Sequence, residues 1–395
     1  MNLTNELPSN ADLVVVGGGV LGAATAFYAS RAGLRTVVVE RRPRLCTLTT
    51  AAATGGVRAQ FDNPEETALA RESLDTYEHF AELAELPGYD LGLRHQGYLF
   101  ATTRPEVAPR QAEWVKAQRG WGVADVELLD GVEIRYRFPF LAEEVVSARF
   151  RARDGFIDPK RLTYGYARAS AATFVLDTAV TGFRVSSGRV DGVTTSRGTI
   201  AADAVVLAAG PFSGQLAALA GLDLGLTAVR RQKVILPDVP AVPTDAPMVI
   251  DEDTGAHWRP VFGGAYLIYT DPTTPPGPPL WDVPTSSADA FVLLDPTSER
   301  SVARLAPFWR QVWEDGTAHW AVQAGQYTYT RDHRPILGPS PIPGLYLNLG
   351  YSGHGVMGSA GGSRRVIDLL IGRADPHANP FRWDRPVVER PFDVI

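Results

Sequence analysis

The chain has 395 residues, of which 45% are hydrophobic and 21% are charged, and its formal net charge at pH 7 is −6. That length exceeds what one hydrophobic core usually organises, so two domains are expected. The negative net charge and the lack of any long Lys/Arg run argue against nucleic acid as a partner and favour a small molecule.

The sequence shows no targeting segment, membrane span or metal-binding pattern. Residues 1–10 lack the basic start and apolar core of a signal peptide, and no run of about 18 apolar residues follows. Cys46 is the single cysteine, so it cannot form an internal disulfide. No His/Cys cluster has metal-ligand spacing. We therefore expect a cytoplasmic protein with neither a membrane association nor a metal.

The first elements form a strand, glycine turn, helix and strand. Residues 11–16 are an apolar, β-branched run that predicts a buried strand, and residues 23–33 have helical composition and close on Gly33. A second buried strand, residues 35–39, ends at Glu40. This order within about 30 residues predicts a βαβ unit with a right-handed crossover.

A GxGxxG string lies in that unit and predicts an adenine dinucleotide site. The first glycine permits a tight turn, the second lets the backbone approach a pyrophosphate, and the third lets the helix pack closely. Glu40 is placed to accept hydrogen bonds from the ribose hydroxyls, and a tight turn without a ligand is the alternative. The fingerprint does not separate FAD from NAD. The expected contacts here are Gly17, Gly19, Val20, Leu21, Gly22, Glu40 and Arg41.

The remaining elements predict that the chain leaves the nucleotide-binding domain and returns to it. Asn63 starts a helix whose pattern runs to residue 86, residues 93–101 are strand-like, and residues 174–208 form several short strands. Residues 234–293 indicate β-structure with a loop at 271–279. The predicted boundaries are 1–90, 150–220 and 325–380 for the nucleotide-binding domain, 91–149 and 221–324 for a substrate domain, and 381–395 for a tail.

Four further segments resemble the FAD-dependent amine oxidoreductases of the D-amino-acid oxidase and sarcosine oxidase superfamily, in particular relatives of the sarcosine oxidase β-subunit. They are residues 49–61, Asp154-Gly155 with Asp158-Pro159, residues 208–213, and residues 327–338 followed by 350–357. The resemblance implies FAD as the cofactor. It also implies a mixed α/β fold, in which a Rossmann-type FAD-binding domain is interleaved with a substrate domain built on a mainly antiparallel β-sheet.

The resemblance also implies which residues contact the flavin half of FAD. In that family the last glycine loop opens a helix whose N-terminus points at the flavin pyrimidine, where backbone N–H groups stabilise negative charge. A glycine-rich loop without a ligand is the alternative for this segment. The implied contacts are Thr49, Thr50, Gly55, Gly56, Val180, Ala209, Gly210, Gly353, His354, Gly355, Val356 and Met357.

Three departures from the monomeric sarcosine oxidases qualify the resemblance. Gly325 and Gln326 stand where those enzymes carry the cysteine that bonds covalently to FAD, and Met357 replaces their carboxylate-binding lysine. Residues 266–269 are apolar or aromatic where their oxygen-activating lysine lies. FAD is therefore expected to bind non-covalently, and efficient use of oxygen is in doubt. A covalent link through Cys46 is the disfavoured alternative.

The expected reaction is oxidation of the C–N bond of a small secondary amine or amino acid, such as an N-methyl or cyclic amino acid, by hydride transfer to flavin N5. Oxygen is the expected acceptor. The alternatives are a dehydrogenase with another acceptor, or a non-catalytic FAD-binding subunit that works with protein partners. Arg58 or Arg259 would clamp a substrate carboxylate. The candidate catalytic residues are Arg58, Arg259, His257, Tyr327 and His354, and each could equally be a salt-bridging arginine, a packed aromatic or a hydrogen-bonded core histidine.

Overall fold

We describe a computed structural model of the chain, and the structure covers residues 1–388. Two large β-sheets organise these residues. The first is a Rossmann-type sheet with a parallel centre, and the second is mainly antiparallel. This arrangement confirms the predicted mixed α/β fold class.

The strands in chain order are β1 (Asn2–Leu3), β2 (Asn10–Val16), β3 (Thr36–Val39), β4 (Gly56–Val57), β5 (Tyr98–Thr102), β6 (Glu127–Asp130), β7 (Ser147–Arg151), β8 (Gly155–Phe156), β9 (Thr173–Val175), β10 (Val180–Ser186), β11 (Arg189–Thr195), β12 (Gly198–Leu207), β13 (Thr227–Leu236), β14 (Met248–Asp251), β15 (Ala256–Val261), β16 (Gly264–Tyr269), β17 (Pro276–Gly277), β18 (Ala321–Tyr329), β19 (Ile336–Pro339) and β20 (Leu345–Leu349).

The α-helices in chain order are α1 (Val20–Arg31), α2 (Thr49–Ala52), α3 (Pro64–Glu78), α4 (Phe80–Leu83), α5 (Ala108–Gly120), α6 (Gly131–Arg137), α7 (Pro159–Ala169), α8 (Ser213–Ala218), α9 (Ala288–Leu294), α10 (Phe308–Asp315) and α11 (Ser359–Leu370). Two short 3₁₀ helices span Gly210–Phe212 and Val302–Arg304.

The first sheet is buried on both faces along its central strands. Its strand order is β1-β9-β3-β2-β12-β11-β10, and β20 also pairs with β12. Leu13 and Val15 of β2 face a core formed with α1, α7 and α11, whereas Val14 and Val16 face a second core on the other side. A strand covered on both faces has no polar alternation, which explains why the apolar run of β2 was readable from the sequence.

The second sheet has one apolar face, and its opposite face, called the polar face below, carries charged and polar side chains among apolar ones. Its order is β17-β13-β16-β15-β14-β5-β7-β6, and β18 pairs with residues 227–235 of β13. The apolar face includes Val234, Leu267 and Trp258 and packs on α9 and α10. Alternate residues point to the opposite face, as the period of two in a strand requires. A row across that face contains Lys233, Ile268, His257, Ile250 and Phe100, each paired with the next in register.

The two sheets draw on alternating stretches of the chain, as an interleaved arrangement requires. The first takes its strands from residues 2–39, 173–207 and 336–349, and the second from residues 98–151, 227–277 and 321–329. The domain boundaries remain a prediction. Strand β7 of the second sheet ends at residue 151, close to the predicted limit between residues 149 and 150. Strand β18 of the same sheet begins at residue 321, close to the predicted limit between residues 324 and 325.

The helix predicted to start at Asn63 does so, because the Asn63 side chain accepts a hydrogen bond from the Glu66 N–H at 2.8 Å and Pro64 occupies the first helical position. The helical pattern to residue 86 is broken at His79, which separates α3 from α4. Glu85, with φ +54°, then lies outside helical backbone.

Two predictions on elements are corrected by the structure. The prediction of β-structure for residues 234–293 is wrong at its end, which forms helix α9. Ala290 and Leu293 are three residues apart, lie on one face of that helix and pack into the apolar core. Residues 93–101 were predicted to be strand, but β5 begins only at residue 98. The first part of the predicted tail is packed: Phe381 is 1% exposed and Arg385 pairs with Asp332 at 2.7 Å. Residues 389–395 of that tail lie outside the described residues.

Candidate active site

An elongated cavity of about 470 Å³ runs from the carboxyl ends of β2 and β3 to β13 and β18 of the second sheet. Pockets that hold cofactors have volumes of this order. Most of the predicted FAD contacts line it: Gly17, Gly19, Val20, Leu21, Glu40, Arg41, Thr49, Thr50, Val180, Ala209, Gly210, Gly353, Gly355 and Val356.

The glycine turn at one end of the cavity has no room for side chains. Gly17 has φ +112°, and a Cβ there would lie 2.6 Å from the Ala208 carbonyl oxygen. A Cβ on Gly22 would overlap the Gly17 carbonyl oxygen. Helix α1 begins at Val20 directly beside this turn. Close backbone approach and a helix N-terminus together fit a pyrophosphate.

Glu40 follows β3 and holds the loop of the glycine turn. Its carboxylate accepts hydrogen bonds from the Gly18 N–H at 2.6 Å and the Arg42 N–H at 2.7 Å. Burial raises the pKa of Glu40, while these backbone donors act in the opposite direction. The carboxylate therefore orders the loop and lines the cavity, where it fits the predicted position for a ribose.

An aromatic stack covers the same end of the cavity. Trp281, which lies in the loop after β17, stacks on Phe212 with ring centroids 3.7 Å apart and ring planes at 15° to each other. The Arg41 guanidinium lies 4.3 Å from the centroid of the Trp281 ring. All three side chains line the cavity. Arg41, a predicted FAD contact, therefore lines the cavity as part of this aromatic cover. The three residues of the cover lie in the segments that follow β3 and β12 of the first sheet and β17 of the second.

Helix α2 and strand β18 meet at the other end of the cavity. The Thr49 hydroxyl donates to the Gln326 carbonyl oxygen at 3.1 Å, and the Thr50 hydroxyl oxygen accepts from the Val20 N–H at 3.3 Å. A Cβ on Gly325 would lie 3.1 Å from the Ala52 Cβ. The glycine at the position of the family's linking cysteine therefore lets α2 pack closely on the strand.

The last glycine loop lies between β20 and α11. Gly353 has φ +100°, and a Cβ there would overlap the Tyr327 ring. The Tyr77 hydroxyl donates to the Val356 carbonyl oxygen at 2.6 Å and so anchors the loop from α3. Gly353, Gly355 and Val356 present the loop to the cavity. A bare, anchored backbone at this position fits the flavin contact that the resemblance implies.

Five of the predicted FAD contacts do not line the cavity. Gly22, Gly55 and Gly56 pack against neighbouring backbone or the Tyr98 side chain, and so support the loops that do. His354 stacks edge-on against Phe61 with centroids 5.0 Å apart. Met357 packs in an apolar cluster with α1 and α3. In this arrangement these residues shape the walls from behind.

Cys46 also lines the cavity, at the end where the glycine turn lies. Its backbone N–H donates to the Gly18 carbonyl oxygen at 3.0 Å. Burial raises the pKa of its thiol to about 11, so the reactive thiolate is disfavoured at neutral pH. The position is near the dinucleotide turn rather than β18, which does not support a covalent flavin link.

The candidate catalytic residues lie around the polar face of the second sheet. Tyr327 lines the cavity, and burial raises its pKa to about 12. The His257 Nδ1–H donates to the Gly255 carbonyl oxygen at 2.9 Å, and burial lowers the pKa of His257 to about 4. A histidine with that pKa is neutral at pH 7. The structure thus brings these side chains to one face, although His257 does not reach the cavity.

Arg259 and Arg58, the predicted carboxylate clamps, lie outside the cavity wall. Arg259 donates through Nε to the Thr54 carbonyl oxygen at 2.9 Å, and burial lowers its pKa to about 10. Arg58 donates to the Gln60 carbonyl oxygen, and its guanidinium lies 4.7 Å from the Phe61 ring centroid. Both arginines therefore hold loops of the FAD side against the sheet.

Lys233 and Arg231 were missed by the sequence reasoning, and both line the cavity. Lys233 is 3% exposed, and burial lowers its pKa to about 7, with help from the positive charge of Arg259. Lys233 pairs with Ile268 of β16 in the register of the sheet. β16 is the strand on which the sequence lacks the family's oxygen-activating lysine. The three cationic residues of the segment Arg230-Arg231-Gln232-Lys233, placed between the apolar ends of β13, were the signal that could have revealed it.

A dinucleotide cavity on a Rossmann-type sheet, closed by an antiparallel sheet with buried cations, defines an FAD-dependent oxidoreductase. The residues fit FAD, with Glu40 at the ribose end, the glycine turn at the pyrophosphate and the loop of Gly353 at the flavin. The chain matches the family described as "DAO: FAD dependent oxidoreductase" over residues 12–369, and it belongs to that family.

Relatives and solved structures agree with this assignment. The chain is 27% identical over 412 residues to FAD-dependent oxidoreductase domain-containing protein 1 of Bos taurus, covering 92% of this chain and 82% of the relative. It is 25% identical to the mitochondrial sarcosine dehydrogenase of Homo sapiens, covering 93% of this chain and 40% of that protein. Glycine oxidase from Geobacillus kaustophilus superposes with TM-score 0.81 at 28% identity, covering 96% of this chain and 100% of that structure. L-proline dehydrogenase from P. horikoshii superposes with TM-score 0.82 at 22% identity, covering 95% and 98%.

The described residues show neither a membrane helix nor a metal cluster. No helix within residues 1–388 is long and apolar enough to cross a membrane. The same residues contain no group of three or more His, Cys, Asp or Glu side chains that could hold a metal ion.

Proposed function

We propose that this protein oxidises the C–N bond of a small secondary amine or amino acid, such as an N-methyl or cyclic amino acid. The observation that carries the proposal is the continuity of the cavity from Glu40 to Lys233 and Tyr327. A substrate at the second end would lie where the flavin contacts meet the polar face of the second sheet. The names of the relatives, which include sarcosine dehydrogenase and glycine oxidase, support a small amino acid.

The chain's own residues bind and orient the substrate in this proposal. FAD supplies the two-electron acceptor. The carbon beside the nitrogen loses one hydrogen with two electrons and the nitrogen loses a proton, which leaves an imine that water hydrolyses to an amine and a carbonyl compound. Tyr327 and Ile268 form walls that exclude water from the reacting bond. Positioning the two reactants in one enclosed cavity supplies much of the rate increase.

The charge of the site supports a substrate that carries a carboxylate. Arg231 and Lys233 line the cavity, and Arg259 lies close enough to lower the pKa of Lys233. Among residues 1–388, none of these three side chains forms an ion pair with a carboxylate within 4.0 Å. An anionic group entering this region would therefore gain favourable electrostatic interactions in a shielded environment.

Oxygen is the acceptor we propose, and a non-oxygen acceptor is the second candidate. Residues 266–269 of β16 are apolar or aromatic where the sarcosine oxidases are expected to carry their oxygen-activating lysine, and this favours a dehydrogenase. The similarity to sarcosine dehydrogenase and to L-proline dehydrogenase points the same way. Lys233 nevertheless places a cation on the neighbouring strand at the same register.

The test is to incubate purified holoenzyme with N-methylglycine, proline of both configurations, glycine and D-alanine. Peroxide formation together with an imine-derived carbonyl product supports the oxidase. Carbonyl product that forms with an artificial dye acceptor, without peroxide in air, supports the dehydrogenase. If no compound gives a carbonyl product with either acceptor, amine oxidation is contradicted and a non-catalytic FAD-binding role is favoured.

A further inference from the structure

Strand β13 presents two cations to the cavity from positions that differ by two residues. Alternate residues of a strand share a face, so Arg231 and Lys233 point to the same side, about 6.8 Å apart along the strand. Arg230 points to the other side, where its Nη1 donates to the Pro284 carbonyl oxygen at 3.3 Å. The register pairs Arg231 with Gly325 and Lys233 with Gln323 on β18. Residue 325 is a glycine, so helix α2 packs closely over β18 beside Arg231, with Ala52 next to Gly325.

Lys233 lies in an apolar part of this wall and is held by one hydrogen bond. Its Nζ donates to the Ala53 carbonyl oxygen at 3.0 Å, next to helix α2. Nζ also lies 4.3 Å from the centroid of the Tyr266 ring. A protonated lysine has three donors, and among the described residues this one makes no ion pair. The surroundings therefore leave Lys233 Nζ able to exchange a proton with a group in the cavity.

Arg231 lies at the junction of two spaces. It lines the inner cavity and also an outer chamber of about 1050 Å³ that includes Arg300, His333 and Tyr329. Its Nη2 donates to the Tyr329 hydroxyl at 3.2 Å and its Nη1 to the Arg230 carbonyl oxygen at 3.2 Å. Its Nε is buried without a hydrogen-bond partner among residues 1–388. An unpaired guanidinium N–H at the mouth of the cavity suits an incoming carboxylate.

We propose that Arg231 and Lys233 form the substrate-binding pair of this enzyme: Arg231 binds the carboxylate of an amino acid, and Lys233 accepts the proton that its ammonium group must lose before oxidation. This inference rests on the proposed function and assigns the substrate class to α-amino acids that enter as zwitterions. Their amine and carboxylate are separated by one carbon atom, so a molecule with a hydrogen bond at each end spans the two side chains.

The proton transfer balances within the pair and needs no oxidant. The N–H bond of the substrate ammonium group breaks, and a new N–H bond forms at Lys233 Nζ with its lone pair. The substrate becomes a neutral amine with a lone pair on nitrogen, and Lys233 becomes an ammonium ion. The positive charge therefore moves from the substrate to the wall. The proton leaves to water when the product departs.

The groups that face Lys233 favour its neutral form. Arg259 on β15 and Lys160 at the start of α7 are positive, and burial acts in the same direction, so the pKa of Lys233 falls to about 7. Tyr266 on β16 and Tyr327 on β18 have pKa values raised by burial and are neutral near that pH. On β13, Arg231 shares the face of Lys233 and Arg230 points to the other side, while α2 (Thr49–Ala52) carries no ionisable side chain. A carboxylate bound at Arg231 would offset part of this positive field.

The carboxylate half of the inference is tested by binding, without turnover. Methoxyacetate carries the carboxylate of N-methylglycine but no ionisable nitrogen, and its binding to holoenzyme is followed by perturbation of the flavin spectrum. Arg231→Met should weaken binding by about 10- to 100-fold, the effect of losing charge-assisted hydrogen bonds. Arg230→Met is the matched control, because that side chain points away, and it should bind as the wild type does. Equal binding by Arg231→Met and wild type, or no binding by wild type, overturns this assignment.

The proton-transfer half is tested by the pH dependence of kcat/KM. Wild type should use the zwitterion and lose activity as the pH falls below about 7, where Lys233 is protonated. Lys233→Met should depend on the scarce neutral amine. Its kcat/KM should be about 100- to 1000-fold lower at pH 7 and should rise tenfold per pH unit towards the amine's own pKa of about 10. Lys233→Arg, which keeps the charge but accepts no proton, should behave likewise, and Arg230→Met, whose side chain points away from the cavity, should match wild type.

The outcomes separate this inference from the proposed function. Oxidation of amino acids by wild type, together with a Lys233→Met profile that parallels the wild-type profile, overturns the proton transfer and leaves the proposed function intact. Failure of wild type to oxidise any amino acid overturns the proposed function, whereas the methoxyacetate measurement still decides the role of Arg231. Normal flavin content in each variant shows that the site has folded.

Discussion

Replacement of Glu40 by alanine tests how the dinucleotide end of the cavity is ordered. The carboxylate accepts two backbone hydrogen bonds, from Gly18 at 2.6 Å and Arg42 at 2.7 Å, and it lines the cavity at the predicted ribose position. Glu40→Ala removes both backbone bonds and the ribose contact. The Gly18 N–H then has to find water, and the glycine turn loses its fixed geometry.

The expected magnitude follows from these contacts. A hydrogen bond to a charged group is worth about 1.5–3 kcal/mol, and the half-buried position lets water replace part of that. We therefore expect Glu40→Ala to weaken FAD binding by about 1.5–3 kcal/mol in total, or roughly 10- to 150-fold in Kd. Glu40→Gln keeps one acceptor but turns an N–H group towards a second donor, so it should lie between alanine and wild type.

The assay is titration of apoprotein with FAD, read from the quenching of flavin fluorescence. Circular dichroism of each apoprotein confirms that the fold is retained. An unchanged Kd for Glu40→Ala would refute the argument, because the carboxylate would then neither order the turn nor contact the ribose. A Glu40→Gln variant weaker than Glu40→Ala would show that the clash between the amide N–H group and a backbone N–H donor outweighs the hydrogen bond that is kept.

Four further predictions follow from the structure. FAD should appear in the supernatant after acid precipitation, because Gly325 replaces the linking cysteine and Cys46 is kept as a thiol by burial, and colour in the pellet would contradict this. Trp281→Ala should speed FAD release in a dilution assay by about 2- to 20-fold, since it removes a stacked pair and a cation–π contact, and Trp281→Phe should retain part of the effect. Lys233→Met should raise the melting temperature more at pH 7 than at pH 10, because the folded state lowers the pKa of Lys233, so wild-type stability falls as the pH drops from about 10 towards 7; equal gains at both pH values would exclude a depressed pKa. Arg58 contacts the Phe61 loop instead of lining the cavity, so Arg58→Lys should keep most of the wild-type kcat/KM at normal flavin content; a loss as large as that of Arg58→Ala would return the carboxylate clamp to Arg58, because lysine lacks the planar fork.

The nucleotide-binding half was predictable because its signals are local. The apolar run of β2, the glycine turn and the end of β3 at Glu40 lie within one short stretch, and each element is recognised from its own composition. Asn63 is a similar case, because a cap and its proline are adjacent in sequence. These features need no knowledge of distant pairing, so one sequence sufficed.

The substrate side was harder to predict because its surface is assembled from distant strands. Whether Arg230 or Arg231 faces the cavity depends on the pairing of β13 with β18, about 95 residues later, and a shift of one residue would exchange them. Arg259 and Arg58 were plausible clamps by residue type, but the structure bonds them to backbone carbonyl oxygens of neighbouring loops. Lys233 was visible as a charged residue within β13, but the distant groups that lower its pKa, such as Arg259, were not.

Anaerobic mixing of purified holoenzyme with single amino acids tests directly whether this protein oxidises a C–N bond. If it does, at least one N-methyl or cyclic amino acid should bleach the visible flavin band at a rate that saturates with the amino-acid concentration. The corresponding methoxy acid, which binds without a reactive amine, should perturb the band without bleaching it. A flavin band that stays oxidised with every amino acid, while dithionite still reduces it, would contradict C–N oxidation by this protein.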